Sequence, residues 1–521
     1  MNKLTNSQFL ELLSRKNIRI HSKDERLQIS APTGAIDTQL HTELVRRKSD
    51  LLTLLEKTES PAQPLSARPK DGQRIPQTPA QQGLWLIEHH EPGNVAYNIP
   101  EAFLINTHVE LIALQEAVNQ LLARHEVLRT SFHEDDGDLF QSVSAEARAD
   151  VGFTDLSFLP EANRDQILRK LIRDHARQPF DLQRPPLARI HLFRLGEQKH
   201  VLFLNIHHII SDRKSVDIIR EELVALYQET ASNESANLPE LSVQFADYAI
   251  WMTKQMDGKA IEKQILYWKR KLAGVPPFLE LPHRHRYPKK RTSWGATLPV
   301  TIPVSLRDLL NKVATDENAT PFMTYLAVLA LLLYLYSGSE DFCIGSPITD
   351  RRHVTTERMV GLFFNMLTFR CQLTQEYSFR EILRRVRETA LEAYDNSDVP
   401  FQKLVRALKP DRRFQRAPIF QVTFGFESHP HTRIDLLQIH TEPGTARYDL
   451  TLNLEENRDG ISGSFEYCTD LFDESDIVKL AQGLAIAHEA AREPDQSISE
   501  VISRSCVQGK QVASTISPSH R

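Results

Sequence analysis

Residues 201–215 read Val-Leu-Phe-Leu-Asn-Ile-His-His-Ile-Ile-Ser-Asp-Arg-Lys-Ser. The apolar run that opens this stretch predicts a buried strand, and Ser215 is a residue type that caps helices. A helix is predicted to follow, with one apolar face formed by Val216, Ile219, Leu223 and Leu226. His207 and His208 are therefore predicted at a strand-to-helix turn, a rigid position from which a side chain can reach a substrate.

The histidine pair is open to three interpretations. Histidine is the side chain best suited to move protons near neutral pH, so base catalysis is the first. Adjacent histidines also occur in ordinary surface segments, and His89-His90 is such a pair with no strand before it. A metal site is the third, because His208 and Asp212 are four residues apart. No HExxH pattern or cysteine pair completes a tetrahedral set, so we expect no metal.

The full HHxxxD pattern after an apolar strand resembles the signature of condensation domains of nonribosomal peptide synthetases, within the chloramphenicol acetyltransferase superfamily. Other motifs of that family are matched in the same order and spacing, at residues 78–85 with 97–100, 124–132, 245–251, 361–367, 398–401 and, loosely, 412–418. The resemblance covers roughly residues 76 to 500. Most of these segments are expected to serve packing and turns, and Trp85, Tyr248 and Trp251 are expected to be core aromatics.

Length and composition agree with an enzyme of this kind. A chain of 521 residues can hold roughly two or three domains. The formal net charge of −5 gives no general bias toward nucleic acid or anionic membranes. The four cysteines are widely scattered, which indicates reduced thiols and no disulfide framework. No signal peptide or membrane-spanning run is visible, so we expect a soluble cytoplasmic enzyme.

The first 57 residues form a separate predicted unit. Phe9, Leu10, Leu12 and Leu13 suggest a short amphipathic helix, residues 18–29 suggest a hairpin, and the leucines from 44 to 55 suggest a second helix. Residues 58–75 contain several prolines among polar residues and are predicted to be an extended linker. The helix, hairpin and helix resemble the β-hairpin docking domains at the N-termini of some synthetase subunits.

The docking resemblance implies a partner. In that family the hairpin and its neighbouring helix capture a short motif at the C-terminus of the upstream protein, next to a carrier protein. Residues 1–57 contain ten Lys or Arg against seven Asp or Glu. We therefore predict an acidic partner peptide that is bound near the hairpin by Arg15, Lys16, Arg19, Lys23 and Arg26. The alternative for each of these residues is a solvated basic surface.

The condensation resemblance implies an α/β (α+β) fold. Two acetyltransferase-like lobes, at residues 76–250 and 251–500, would form a V-shaped pseudo-dimer with a central tunnel, followed by a flexible tail at 501–521. Phosphopantetheine arms of donor and acceptor carriers would enter from opposite faces and meet at His208. The enzyme would need no cofactor of its own, because the substrate is carried on the phosphopantetheine of a carrier protein.

The resemblance also implies a role for each residue of the motif. His208 would accept or guide the proton of an attacking nucleophile, and His207 would be mainly structural. Asp212 would anchor the turn through Arg351. The family usually has glycine where this chain has Arg213, on the acceptor side. Because Arg213 departs from the family pattern, we expect its bulk to hinder a carrier-bound acceptor and its guanidinium to pair with the carboxylate of a small free acceptor; the alternative is that it points into solvent or into a local ion pair.

The boundaries of the chain suggest chain release. No adenylation or carrier domain accompanies the condensation region, so we expect a free-standing enzyme that passes an acyl chain to a soluble amine or alcohol. The opening motif disfavours an epimerase, and the two histidines disfavour heterocyclisation. Three alternatives remain: elongation with a carrier-bound acceptor, a coenzyme A-dependent acyltransferase, and a catalytically silent domain that recruits carriers or tailoring enzymes.

Overall fold

The computed structural model divides the chain into two compact units, Met1–Ser66 and Ala67–Arg521. The residues it describes are 9, 13, 19–23, 26–30, 38–51, 65–69, 74–146, 148–232, 235–256, 258–282, 287–289, 291–351, 353–410, 416–428, 437–439, 441, 443–457 and 460–507. Most of the predicted linker at 58–75 therefore lies outside the described residues.

The first unit contains an antiparallel hairpin and a helix. Strand β1 (Arg19–Lys23) pairs with β2 (Arg26–Ser30), and helix α1 (Thr38–Arg46) follows. Its apolar side chains are buried at Phe9, Leu13, Leu40, Leu44 and Leu51. The predicted hairpin is thus present, and its core comes from the leucine pattern of the flanking segments.

The predicted docking residues fall partly outside the described part of the unit. Arg15 and Lys16 lie outside the described residues. Arg19, Lys23 and Arg26 lie on the paired strands β1 and β2, with Lys23 directly opposite Arg26. Their role in partner binding stays a prediction.

In the second unit we call the part from β3 to α5 the N-terminal lobe. Its strands are β3 (Ile75–Pro76), β4 (Asn98–Ile105), β5 (Thr130–Asp135), β6 (Asp138–Val143), β7 (Val151–Asp155), β8 (Ala188–Gly196) and β9 (Lys199–His207). Its helices are α2 (Pro79–His90), α3 (Leu111–Arg124), α4 (Glu161–Ala176) and α5 (Arg213–Ser232). Helix α6 (Phe245–Gln255) connects this lobe to the next.

We call the part from α7 to α14 the C-terminal lobe. Its helices are α7 (Lys259–Lys271), α8 (Val304–Asp316), α9 (Pro321–Ser337), α10 (Phe379–Asp395), α11 (Phe401–Leu408), α12 (Glu474–Gln482), α13 (Leu484–Arg492) and α14 (Ile498–Val507). Its strands are β10 (Gly295–Ile302), β11 (Asp341–Thr349), β12 (Phe364–Gln372), β13 (Val422–Ser428), β14 (Leu437–Ile439), β15 (Leu450–Asn457) and β16 (Gly460–Cys468).

Each lobe is built on a mixed sheet, and one strand crosses between them. The C-terminal sheet has the order β10-β16-β15-β13-β11-β12, and the N-terminal sheet has the order β14-β4-β9-β8-β7. Strand β14 comes from the C-terminal part of the chain and pairs antiparallel with β4, with Ile439 opposite Ala102. The two lobes therefore share hydrogen-bonded sheet structure.

Two predicted boundaries fall inside helices. The lobe boundary at residue 250 lies within α6, whose Ala246 and Ala249 pack against Ile75. The predicted flexible tail begins at 501, but α14 continues to Val507 and Val501 is buried. The helices continue past both boundaries because their apolar faces still pack on the lobes.

Helix α9 is the centre of the C-terminal core. Every residue from Met323 to Leu333 is buried, as expected for a helix that is apolar on all sides. Thr320 caps its start by accepting a hydrogen bond from the Met323 amide at 2.9 Å, and Gly338 ends it with φ of 70°. Among the described helices none by itself is long and apolar enough to cross a bilayer, and α8 with α9 pass that test only as a pair bent by 114°.

Strand β9 lies between β4 and β8 and carries the turn that the sequence singled out. Residues 200–207 are all buried, which explains the continuous apolar run. The predicted apolar face of α5 is buried at Val216, Ile219, Leu223 and Leu226. Helix α5 begins at Arg213, so Ser215 lies in its first turn and is not the cap; the Asp212 carboxylate accepts the Ser215 amide instead, at 2.7 Å.

Candidate active site

His208 lies in a 3₁₀ turn, His208–Ile210, between β9 and α5. Its backbone N–H donates to the carbonyl oxygen of Tyr97 at 2.8 Å. Its ring Nδ1 lies 2.7 Å from the carbonyl oxygen of Ser211. Because a carbonyl oxygen can only accept, Nδ1 carries the ring proton and Nε2 keeps a lone pair. The ring also packs against Phe364, with 5.4 Å between centroids.

The surroundings of His208 favour its neutral form. Burial of the ring is the main cause that lowers its pKa to about 4, and the positive charge of Arg447 lowers it further. The Ser211 carbonyl and the charge of Asp212 act in the opposite direction but are smaller causes. At neutral pH the imidazole is therefore unprotonated at Nε2, which is the form that can accept a proton.

His207 is fully enclosed and turned into the protein. Its side chain is buried against Phe180, with 5.9 Å between ring centroids. Its Nδ1 accepts the backbone N–H of Ile209 at 3.1 Å, and burial lowers its pKa to about 3. The ring thus serves as the N-terminal cap of the 3₁₀ turn that presents His208.

Asp212 is buried and engaged on both carboxylate oxygens. Oδ1 accepts the Ser215 amide at 2.7 Å, the Ser215 hydroxyl at 2.6 Å and an Arg351 N–H at 2.8 Å. Oδ2 accepts the Phe363 amide at 3.2 Å. These contacts tie the start of α5 to the C-terminal lobe, which suits an anchor of the turn better than a proton relay.

Arg351 completes that anchor from the C-terminal lobe. Its Nη1 donates to the carbonyl oxygens of Thr356 and Met359, at 2.5 and 2.6 Å. Its Nη2 reaches both Asp212 and the Ser215 hydroxyl at 2.8 Å. The guanidinium also lies 4.1 Å from the ring centroid of Phe363. The two predicted partners, Asp212 and Arg351, therefore meet in the structure.

Gly361 opens the motif at residues 361–367, whose first five residues we call the GLFFN segment, and its contacts explain part of that motif. Its amide donates to the Ser215 hydroxyl oxygen at 3.0 Å, and that oxygen lies 2.8 Å from the Gly361 carbonyl oxygen. A Cβ at this position would lie 1.9 Å from a ring carbon of Phe245. Glycine is required here because the backbone approaches the aromatic ring so closely. Of the predicted core aromatics, Trp85 and Tyr248 are buried and Trp251 is half-buried.

Arg213 lies in the first turn of α5 and is engaged by carboxylates of its own chain. Its Nη1 donates to the buried Glu101 at 2.8 Å, and its Nε lies 3.8 Å from an Oε2 oxygen of Glu427 in the C-terminal lobe. The side chain keeps 38% of its surface exposed. Of the two arrangements that the sequence left open, the structure has the local ion pair.

Sequence reasoning missed two neighbours of His208. Phe364 lies within the GLFFN segment and could have been found from that motif. Arg447 precedes β15, far along the chain, and its Nε donates to the carbonyl oxygen of Ala96 at 2.9 Å. No motif links Arg447 to the histidines, so only the fold brings it to them.

Two family comparisons match nearly the whole chain. Residues 72–511 match the family described as Condensation domain, and residues 7–57 match the TubC N-terminal docking domain. One of the linear gramicidin synthase proteins of Brevibacillus parabrevis is 37% identical over 456 residues, which is 86% of this chain and 6% of that protein. Phosphinothricin tripeptide synthetase PhsC of Streptomyces viridochromogenes is 35% identical over 82% of this chain and 40% of its own length. The chain thus spans less than half of either relative.

Solved structures of similar fold also come from nonribosomal peptide biosynthesis. The complex of the X-domain and OxyB from teicoplanin biosynthesis matches with a TM-score of 0.75 and 28% identity, over 84% of this chain and 97% of that chain. The cyclization-docking bidomain of EpoB from Sorangium cellulosum matches with a TM-score of 0.71 and 22% identity, over 94% and 98%. The predicted fold class, an α/β condensation fold preceded by a docking domain, is confirmed. The chain belongs to the condensation domain family of nonribosomal peptide synthetases.

Proposed function

We propose that this chain transfers an acyl group from the phosphopantetheine thioester of an upstream carrier protein to an amine or hydroxyl acceptor. Membership of the condensation family supports acyl transfer of the amide-forming type. The observation that carries the proposal is the neutral imidazole of His208, whose Nδ1 donates to Ser211 and whose Nε2 holds the lone pair. We propose Nε2 as the base.

The proposed reaction forms one bond and breaks one. The nucleophile attacks the thioester carbonyl carbon and its proton passes to Nε2 of His208. The tetrahedral intermediate then collapses, the C–S bond breaks, and the proton returns to the departing thiolate. The products are an amide or ester and a free phosphopantetheine thiol, and the histidine is neutral again. The thiol stays on the carrier, so the enzyme is proposed to need no cofactor of its own.

The acceptor is proposed to be a small free amine or alcohol. The support is Arg213, a large side chain held in place by Glu101 and Glu427 at a position where the family usually has glycine. Its bulk would hinder a phosphopantetheine arm that approaches from this side. We also propose that this acceptor carries a carboxylate. Such a carboxylate would have to share the Arg213 guanidinium with Glu101, so this part of the proposal is tested separately.

The variants Arg213→Gly and Arg213→Met separate the effect of the size of the Arg213 side chain from the effect of its charge. If Arg213 pairs with an acceptor carboxylate, both variants should raise the KM of carboxylate-bearing acceptors about 10- to 100-fold, the value of a charge-assisted hydrogen bond. If its bulk excludes a carrier-bound acceptor, only the glycine variant should gain that activity. Glu101→Gln in each background controls for leaving a buried carboxylate without its partner. Unchanged kinetics for every acceptor would refute both roles.

The docking unit is proposed to bring the donor carrier to the enzyme. The match to a docking domain supports a carrier-protein partner, and the basic residues of 1–57 support an acidic partner motif. A carrier held in this way reaches the active site at a raised effective concentration. We propose that the enzyme and its donor carrier are both cytoplasmic.

Deleting residues 1–57 should lower kcat/KM for the cognate acyl carrier by about 10²-fold, because binding of the tethered donor loses its second contact. Transfer from a small thioester mimic should be unchanged, since that donor does not use the docking unit. Charge reversal at Arg19, Lys23 and Arg26 tests the acidic motif without removing the unit. Equal loss with the carrier and the mimic would exclude the docking role.

Three alternatives are kept. In elongation the acceptor is bound to a second carrier, and intact-protein mass spectrometry would find the product on that carrier. In recruitment the domain binds another enzyme without catalysis; the likeness to an X-domain solved in complex with OxyB, at 28% identity, favours keeping this alternative. A coenzyme A-dependent acyltransferase would accept acyl-CoA directly.

One experiment distinguishes the proposed function from elongation and from recruitment. The upstream carrier is loaded with an acyl group, candidate amines and alcohols are supplied, and the soluble products are measured by mass spectrometry. Release of a soluble amide or ester supports the proposal. Product on a second carrier supports elongation, and binding without any transfer supports recruitment.

A further inference from the structure

Arg447 joins the two lobes at the segment that holds His208. It lies in the C-terminal lobe, just before β15, and its Nε donates to the carbonyl oxygen of Ala96 in the N-terminal lobe at 2.9 Å. Its guanidinium carbon lies 5.4 Å from the ring centroid of Tyr97. Its backbone N–H donates to Oε1 of Glu466 at 3.3 Å. The side chain is thus directed from β15 and β16 toward the start of β4.

The residues that Arg447 contacts bear directly on the catalytic turn. Tyr97 accepts the backbone N–H of His208 at 2.8 Å, and Asn98 lies opposite His207 in the β4–β9 pairing. The segment formed by Ala96 and Tyr97 is therefore held from one side by Arg447 and from the other by His208. A shift of this segment would move the backbone of His208.

Arg447 also acts on the imidazole through its charge. After burial it is the largest cause that lowers the pKa of His208, and it lowers the pKa of His207 as well. Asp212, in the same turn, acts on the ring in the opposite direction. The neighbouring His207 is neutral because burial lowers its pKa, and the Tyr97 phenol next to Arg447 stays neutral because burial raises its pKa. Phe364, which packs on the ring from β12, carries no charge. Arg447 is the cation in this set.

We propose that Arg447 is a positioning residue for the condensation reaction, one that holds the Tyr97 segment against the catalytic turn and keeps the imidazole of His208 in its proton-accepting form. This inference rests on the proposed function of His208 as the base. Arg447 has two separable roles in it: a directional hydrogen bond to Ala96 and a fixed positive charge near the ring. Lysine retains the charge without the planar guanidinium, whereas glutamine removes the charge.

The test measures the pKa of His208 in the full-length protein. The titration is followed by NMR of the imidazole nitrogens after isotope labelling. In Arg447→Gln the pKa of His208 should rise from about 4 toward the ordinary value of 6.5, because a nearby positive charge that disfavoured protonation is gone. The acid limb of kcat/KM should move to higher pH by the same amount. In Arg447→Lys the limb should stay in place while kcat falls about 10-fold, the effect of one misplaced hydrogen bond.

Arg177→Gln is the matched control. Arg177 also crosses between the lobes: its Nε donates to the carbonyl oxygen of Pro443 at 2.8 Å and its guanidinium lies 4.8 Å from the Trp294 ring. It is not among the groups that shift the pKa of His208, so its loss should leave both the NMR titration and the pH profile unchanged.

The outcomes separate this inference from the proposed function. If the wild type transfers acyl groups but the His208 titration is the same in Arg447→Gln as in the wild type, the inference is wrong and the function stands. If the titration shifts as expected but no acyl transfer is found with any acceptor, the proposed function fails. A shift of equal size in Arg177→Gln would show a general loss of lobe packing and would also overturn the inference.

Discussion

Replacing His208 with alanine should lower kcat/KM for acyl transfer by about 10²- to 10⁴-fold, the range of general-base catalysis. The loss follows because the lone pair of Nε2 is removed, so the proton of the nucleophile must pass to water instead. The effect should be larger for a hydroxyl acceptor than for a free amine, because the hydroxyl is the poorer nucleophile. Single-turnover transfer from the acyl carrier measures the effect on chemistry directly.

The pH dependence gives a second test of the same residue. With the pKa of His208 lowered to about 4, the base is unprotonated at higher pH, so the rate should be flat from about pH 6 to 8 as far as His208 is concerned. It should fall only as the pH drops toward that pKa and the ring takes up a proton. An acid limb near the ordinary histidine value of about 6.5 in the wild type would contradict the burial argument.

His89→Ala is the matched control for the His208 variant. His89 belongs to the other histidine pair of the chain, and both members of that pair are exposed at the end of α2. It should transfer at the wild-type rate. Activity of His208→Ala within about 10-fold of the wild type, with unchanged thermal unfolding, would make substrate positioning the main source of rate.

Replacing Arg351 with alanine should destabilise the turn that holds His208 by about 3–5 kcal/mol, the cost of leaving a buried charge without its partner. Asp212 and Arg351 keep only 10% and 7% of their side-chain surface exposed. The variant also removes the donors to the Thr356 and Met359 carbonyl oxygens. We expect a strong loss of transfer together with looser packing between α5 and the C-terminal lobe.

Hydrogen exchange localises that effect. The amides of Ser215 and Phe363 both donate to Asp212, so their exchange should accelerate by about 10²-fold or more in Arg351→Ala, if local opening carries the lost energy. Arg358→Ala is the control: Arg358 pairs with Glu221 at 3.5 Å and is 53% exposed, so its loss should cost at most about 1 kcal/mol. Equal exchange rates at Ser215 in wild type and Arg351→Ala would exclude an anchoring role.

Much of the fold was predictable from local patterns. The apolar run 201–206 predicted a buried strand, and that strand is central in its sheet. The spacing of Val216, Ile219, Leu223 and Leu226 predicted the buried face of α5. The docking hairpin followed from two short alternating segments around a polar turn. Apolar periodicity predicts these elements because a strand or helix with one buried face must repeat its apolar residues at a fixed interval.

Predictions that depended on where an element starts or stops were less accurate. Ser215 is a good capping residue, yet Asp212 takes that place, because its carboxylate also meets Arg351 from the other lobe. The lobe boundary at 250 fell inside α6 for a similar reason, since Ala246 and Ala249 pack on β3. In both cases a tertiary contact that the local sequence does not show decided where the element begins or ends.

The sequence by itself determined the family, the docking unit, and the position of the two histidines at the end of a buried strand. These features are carried by contiguous motifs of fixed spacing. Only the tertiary structure decided that His208 keeps its proton on Nδ1, that Arg213 pairs with Glu101, and that Arg447 contacts the Ala96–Tyr97 segment next to the His208 turn. The reason is physical: hydrogen-bond partners and electric fields depend on distance in space, and the groups concerned come from separate strands, turns and lobes.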